Sequence, residues 1–135
     1  MKIVIDTSFI VACMKKKIDF LEKAEELFDE GLDWLVPLEV MQELEKLSQQ
    51  KGEKTENKQA SLTAIDFIKS QDLSMIPLQA EPSPAHVDDL IVSYVNEHSN
   101  EKPVVATIDK EFKQRVHELG LKTLVIKDMK SLGID

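Results

Sequence analysis

The sequence predicts an α/β fold, a three-layer α/β/α sandwich around a parallel sheet of five strands. Three observations carry that expectation. Five short apolar runs recur along the chain, at Lys2–Ile5, Trp34–Val36, Leu73–Ile76, Pro103–Ile108 and Leu121–Ile126. Amphipathic stretches separate them, and strands alternating with such helices argue a parallel sheet covered on both faces. No repeat or low-complexity tract interrupts the 135 residues, a length that suits one domain with one sizeable core.

The first strand enters Asp6-Thr7-Ser8, whose two hydroxyls are expected to cap a helix over about Phe9–Met14. A second helix, Asp19–Glu30, carries Leu21, Ala24, Leu27 and Phe28 at helical spacing, with Gly31 as its stop. After the strand Trp34–Val36, Pro37 opens a helix to about Gln50, since proline is favoured at the first helical position. The polar stretch Lys51–Asn57 reads as a loop. The helix after it presents Ala60, Ala64, Phe67 and Ile68 on one stripe, and the strand Leu73–Ile76 follows. Ser83 and Pro84 then start a helix with Val87, Ile91, Tyr94 and Val95 on one face. Pro103–Ile108 leads to a helix over Lys110–Leu119, stopped by Gly120, and Leu121–Ile126 is the last strand before a short final turn.

Composition bounds the function. Hydrophobic residues at 42% and charged residues at 31% describe an ordinary globular protein. The formal net charge is −8 and Arg115 is the sole arginine. Non-specific affinity for nucleic acid comes from Lys and Arg neutralising phosphates, so a simple basic binding module is a poor fit. Two readings stay open. Either nucleic acid is not the substrate, or part of the acidic excess surrounds a metal ion that reverses the local field. The lone Cys13 leaves no internal disulfide and no cysteine zinc cluster, and suits a reducing, cytoplasmic setting. The apolar run Phe9–Met14 is too short to span a bilayer, and its positive cluster Lys15–Lys17 follows it rather than preceding it. Neither a targeting segment nor a membrane partner is expected.

Asp6, Glu43, Asp88 and Asp109 are the acids that this order of elements would bring together. Asp6 and Asp109 each end an apolar strand, where open parallel sheets gather their ligand sites. Converging carboxylates repel one another unless a hard cation sits between them, and magnesium and manganese prefer oxygen ligands. Glu43 lies one turn from both Val40 and Leu47, at the edge of the buried stripe, while Glu45 points away. On helical position alone, a solvated flank glutamate fits Glu43 equally well; Glu39 is a weaker candidate for an outer role. Asp88 shares its face with Ile91, Val92 and Val95, and Asp89 lies with Ser93, Asn96 and Glu97. A carboxylate against apolar neighbours is costly without compensation, which favours Asp88 for chemistry and leaves Asp89 solvated or supporting. Asp109 is positioned to cap the helix at Lys110, and capping is compatible with metal binding. Thr107 shares its parity along the strand.

Other chemistries find less support. His86, His98 and His117 show no metal-ligand spacing, and no glycine-rich phosphate loop or nucleophile elbow is present. Lys110, Lys113 and Arg115 either contact phosphate or form a solvated helix face, and Lys15–Lys17 carry the same two readings.

With the acids placed, the chain resembles the PIN-domain ribonucleases. Ile5-Asp6-Thr7-Ser8 resembles the first motif of that family, and Glu43-Leu44-Glu45-Lys46-Leu47 the second. Asp88-Asp89-Leu90-Ile91 is similar to the third, with Asp88 the better match, and the run Thr107-Ile108-Asp109 through Arg115 to the fourth. The likeness spans the whole chain. It implies a single PIN-like nuclease domain over residues 1–135, with catalytic, metal-binding Asp6, Glu43, Asp88 and Asp109 around one or two Mg²⁺ or Mn²⁺ ions. The implied reaction is metal-activated attack of water on an RNA phosphodiester. Ser8 and Thr107 would position water or phosphate from behind the ligands, with Asp89, Lys110 and Arg115 in supporting or substrate contacts. The Asp88-Asp89 pair and the Ala106–Phe112 run look more like archaeal relatives of ribosomal-RNA-processing nucleases. VapC toxins share the fold and the acids and usually come with an antitoxin. A homodimer and an antitoxin or ribosome-assembly partner are further expectations of the resemblance.

The main rival is a catalytically silent RNA- or protein-binding module on the same fold. A haloacid-dehalogenase-like enzyme wants a second aspartate two residues after Asp6, where Ser8 stands. A phospho-receiver wants a lysine on the last strand paired with a mid-sheet aspartate, and that pairing is not convincing.

Overall fold

A computed structural model describes residues 1–71, 73–79, 86–128 and 130–135. The chain runs through β1 (Lys2–Ile5), α1 (Thr7–Lys16), α2 (Phe20–Leu27), β2 (Asp33–Pro37), α3 (Leu38–Gln49) and α4 (Thr55–Ser70). It continues with β3 (Ser74–Ile76), α5 (Val87–Glu97), a 3₁₀ turn at Ser99–Glu101, β4 (Val104–Ala106), α6 (Lys110–Glu118), β5 (Thr123–Lys127) and β6 (Ser131–Ile134). Among the described residues no helix is long and apolar enough to cross a membrane.

The strands form one sheet in the order β3-β2-β1-β4-β5-β6. The first five are parallel, with Ile3 opposite Trp34 on one side and Val104 on the other, while β6 runs antiparallel to β5. From β1 the chain winds outward to β3, then returns past β1 to β4 and β5. With right-handed crossovers this reversal puts α1–α4 on one face and α5 and α6 on the other. Accordingly α1 and α3 both pack on α4, and α5 packs on α6. The reversal leaves a crevice at the carboxyl ends of β1 and β4, where open sheets of this kind bind ligands.

The parallel strands read as continuous apolar runs because both their faces are covered. Ile3, Val4, Ile5, Val105 and Ala106 are fully buried. An aromatic cluster fills the α1–α4 side: Phe20 meets Phe9, Trp34 and Phe67 with ring centroids 5.9, 5.2 and 5.3 Å apart. Truncating a fully buried phenylalanine such as Phe20 or Phe112 to alanine is expected to cost about 3–5 kcal/mol.

The sheet has six strands, not the five expected, because the tail is a strand rather than a turn. Lys127 pairs with Ser131 and Leu124 with Ile134, closing a hairpin through Asp128 in the left-handed region. Other boundaries shift for local reasons. The second helix ends at Leu27, ahead of Gly31, because Phe28 turns extended and packs against the core. Pro37 closes β2 as well as preceding α3, pairing with Ile76. Thr55–Asn57 belong to the first turn of α4, not to a loop. The predicted helix start at Ser83 and Pro84 falls outside the described residues, and α5 is described from Val87. Gly120, at φ 77°, does follow α6 and returns its N–H to His117 O at 2.9 Å.

Candidate active site

Asp6 leaves β1 at the crevice. Its backbone N–H still bonds Ala106 O at 2.9 Å, extending the sheet ladder to the first residue of the site. The side chain is buried, 7% exposed, and two hydroxyls converge on its Oδ2: Ser8 Oγ donates at 2.7 Å and Thr107 Oγ1 at 2.9 Å. The two hydroxyls lie 3.3 Å apart, and they in turn accept backbone N–H bonds from Ile108 (3.4 Å) and Asp109 (3.1 Å). This net ties the start of α1 to the β4–α6 turn. It also overturns the expected capping by Thr7 and Ser8. Both lie inside α1, where Ser8 turns back to Asp6 and Thr7 Oγ1 is buried without a partner.

β4 ends at Ala106, short of the expected Ile108, so Asp109 does not close the strand; it is the N-cap of α6, its Oδ1 accepting the Phe112 N–H at 3.0 Å. Such a cap is worth about 1 kcal/mol, so one carboxylate oxygen is held by the helix while the residue also faces the crevice. Glu43 is half-buried on α3 and Glu45 exposed, as the helical phase indicates. Asp88 is half-buried and Asp89 exposed in the first turn of α5. Asp88 is not wedged among apolar side chains as expected. The helix begins at the crevice, and Arg115 of α6 reaches its first turn, with Nη1 3.7 Å from Asp88 Oδ2 and 2.9 Å from Asp89 Oδ1.

Asp6, Glu43, Asp88 and Asp109 all line one cleft of about 180 Å³, together with Ser8, His86, Val87 and Phe112. Thr107 sits behind it, fully buried. Arg115 and Asp89 stand beside it as an ion pair, and Lys110 is exposed at the start of α6 outside the lining. Among the described residues, no three His, Cys, Asp or Glu side chains converge closely enough, as they stand, to hold a metal ion. The acids share the cleft with their carboxylates drawn apart, Asp88 toward Arg115 and Asp109 toward the α6 backbone.

Burial pushes the Asp6 carboxyl above the usual aspartate range; the hydroxyls of Ser8 and Thr107 oppose the rise and the negative charge of Glu43 adds to it. A desolvated carboxylate held by two hydroxyls and the Thr7 backbone N–H, and facing a second acid, is a place where a cation is electrostatically favoured. The donors are all oxygen, which suits Mg²⁺ or Mn²⁺ rather than a softer metal.

Two residues stand where the sequence did not indicate. His86 precedes α5 and lines the cleft; its position two residues before Asp88 was the available signal. Glu39 anchors the chain beyond β3, its carboxylate accepting N–H bonds from Leu78 (3.0 Å) and Gln79 (3.3 Å). Lys113 is taken by Asp135 at 2.7 Å, tying α6 to the tail.

The profile of the PIN like domain family matches residues 3–129. The chain belongs to that family. It is 30% identical over 133 residues to Ribonuclease VapC4 of Methanocaldococcus jannaschii, covering 98% of this chain and 95% of that one. The solved structure of the PIN domain endonuclease Utp24 superposes with a TM-score of 0.80 at 27% identity, over 99% of this chain and 90% of that chain. A domain of a functionally unknown protein from Methanocaldococcus jannaschii shares the fold at a TM-score of 0.58 and 14% identity, covering 93% and 91% of the two chains.

Proposed function

We propose that this protein is a metal-dependent endoribonuclease that hydrolyses RNA phosphodiester bonds at the acidic cleft. The observation that carries the reading is that four carboxylates from four separate elements line one small cleft at the sheet's reversal point. A ribonuclease and an endonuclease among its relatives support it. Asp6, Glu43, Asp88 and Asp109 would hold the cation, which when bound supplies an acidified water and charge neutralisation for the phosphate. Ser8 and Thr107 fix the Asp6 carboxylate, so its orientation does not need to be bought from substrate binding. Asp109 is held by the α6 cap, and the α6 N-terminus adds a favourable field for the phosphate. Arg115, beside the cleft and paired with Asp88 and Asp89, is placed to exchange its carboxylate partners for an incoming phosphate.

The test is cleavage of structured and single-stranded RNA with Mn²⁺. Cleavage abolished by EDTA, and by Asp6→Asn or Asp88→Asn, is the expected result. RNA that binds but survives Mn²⁺, with no difference between wild type and these variants, would replace this reading with the silent binding module. The cellular role divides between ribosomal-RNA processing and a VapC-type toxin. Growth arrest on expression, relieved by Asp6→Asn, is the expected mark of a toxin; normal growth favours processing.

A further inference from the structure

A second and larger cavity adjoins the acidic cleft. It is a groove of about 600 Å³ between α1, α3 and the start of α4, within the size range of small-ligand sites. Ser8 and Glu43 line both spaces, so the groove opens onto the place where the scissile phosphate would lie. Its floor is apolar, made by Val11, Ala12, Leu47 and Ile108. The Ile108 side chain is left 46% exposed there, although its neighbours Thr107 and Ala106 are fully buried.

The two rims differ in charge. Lys15 and Lys16, from the last turn of α1, stand on one side, both exposed and in a chain of net charge −8. Glu53, Glu56 and Asn57 stand on the other, with Asn57 donating its amide to Glu53. Thr7 also lines the groove, and its Oγ1 is the buried side-chain polar atom left without a partner among the described residues.

We propose that this groove binds a nucleotide of single-stranded RNA next to the bond that is cut, with phosphate on the lysine rim and the base edge on the Glu53–Asn57 rim. The proposal rests on the ribonuclease reading for the neighbouring cleft. Charge sets the polarity, because the acids repel phosphate while the lysines attract it. The apolar floor takes the face of the base. Carboxylates accept hydrogen bonds and cannot donate them, so the acidic rim favours bases with an exocyclic amino group (adenine, cytosine and guanine) over uracil, whose single donor is N3–H between two carbonyls. Unpaired bases offer these edges, whereas a duplex hides them, so the site selects single strands.

The test measures binding of fluorescein-labelled adenine, cytosine and uracil heptanucleotides by anisotropy in EDTA, with Mn²⁺-dependent cleavage followed in parallel. Adenine and cytosine oligomers are expected to bind tighter than uracil by on the order of tenfold. The exposed pair Lys15→Gln/Lys16→Gln should weaken all three and flatten the slope of log K against log salt by about 1.4, two phosphate contacts' worth. The pair Glu53→Gln/Glu56→Gln should shrink the preference over uracil. Equal binding of the three oligomers, or an unchanged salt slope in the lysine variant, overturns the proposal. Cleavage that continues while the groove variants bind and cut as wild type does removes the groove and leaves the nuclease. Groove-dependent binding without any cleavage keeps the groove and removes the nuclease.

Discussion

The acidic cleft has two halves built in different ways. Asp6 comes from the end of β1 and Asp109 from the turn between β4 and α6, and both are fixed: Asp6 by the hydroxyls of Ser8 and Thr107, Asp109 by its cap bond to Phe112. Glu43 and Asp88 come from helices on either side of the crevice and are half-buried, with Asp88 shared between the cleft and Arg115. The carboxyl end of β1 places Asp6 through a backbone ladder bond to Ala106, and the Thr107 hydroxyl holds the Asp109 backbone. Glu43 and Asp88 reach the same point from half-buried positions on helices. The difference teaches that the Asp6–Asp109 half is already held by the chain's own hydrogen bonds, and on the proposed function it predicts that Asp88 exchanges Arg115 for a cation. Preorganised groups avoid reorganisation at the moment of reaction.

The largest effect should fall on the fixed half. On the proposed function, Asp6→Asn is expected to reduce Mn²⁺-dependent RNA cleavage to background, because the amide keeps the hydroxyl bonds but loses the charge that would hold the cation. Glu43→Gln is expected to leave a measurable residue of activity, since an adjustable side chain is more easily substituted by water. Equal losses in the two variants, from cleavage rates at saturating Mn²⁺, would erase the proposed contrast between the halves.

Next come the hydroxyls. Ser8→Ala and Thr107→Val should each raise the Mn²⁺ concentration for half-maximal cleavage by about 10–100-fold, the usual cost of removing a group that orients a ligand. An unchanged metal requirement would show that Asp6 orients without them.

The presence of a parallel sheet was legible because burial on both faces forces continuous apolar runs, whereas the strand order came only with the structure. Helical phase separated half-buried Glu43 from exposed Glu45, and half-buried Asp88 from exposed Asp89. It did not reveal Arg115 over Asp88, since that contact joins helices α5 and α6 through tertiary packing. The strand Ser131–Ile134 was illegible for a similar reason: four residues including a glycine have little strand character until β5 offers its edge. The bond from Ser8 back to Asp6 was hidden because the same hydroxyl at a helix start serves equally as a cap. Glu39's hold on Leu78 and Gln79 depends on where the chain goes after β3, which no local pattern encodes.

A smaller change probes the adjustable half. Arg115→Gln should alter stability by no more than about 1 kcal/mol, as exposed ion pairs contribute little. It should nevertheless tighten Mn²⁺ severalfold in the absence of RNA, by releasing Asp88, while raising KM for RNA through loss of a phosphate partner. A thermal melt and a metal titration separate these. Opposite movement of metal affinity and KM is the expected signature; parallel movement would mean that Arg115 only braces the helices.

The smallest effect is a pH dependence of the metal-free fold. Burial raises the Asp6 carboxyl above its ordinary value of 3.8, so between that value and the raised one the folded chain holds a proton that the unfolded chain has released. Folding therefore takes up a proton in this window, and the contribution of Asp6 to stability falls as pH rises through it. Above the raised value the cost is present in full, and below 3.8 it vanishes. Asp6→Asn removes the charge but retains an oxygen for Ser8 and Thr107, so its Tm should exceed that of the metal-free wild type at neutral pH. The difference should shrink as the pH is lowered through the window. Mn²⁺ should close the same gap from the other side, raising the wild-type Tm by mass action while leaving Asp6→Asn nearly unmoved. A variant that melts below the wild type at neutral pH would mean that the buried carboxylate stabilises the strand end in its own right, and that a cation is not needed to explain why it is there.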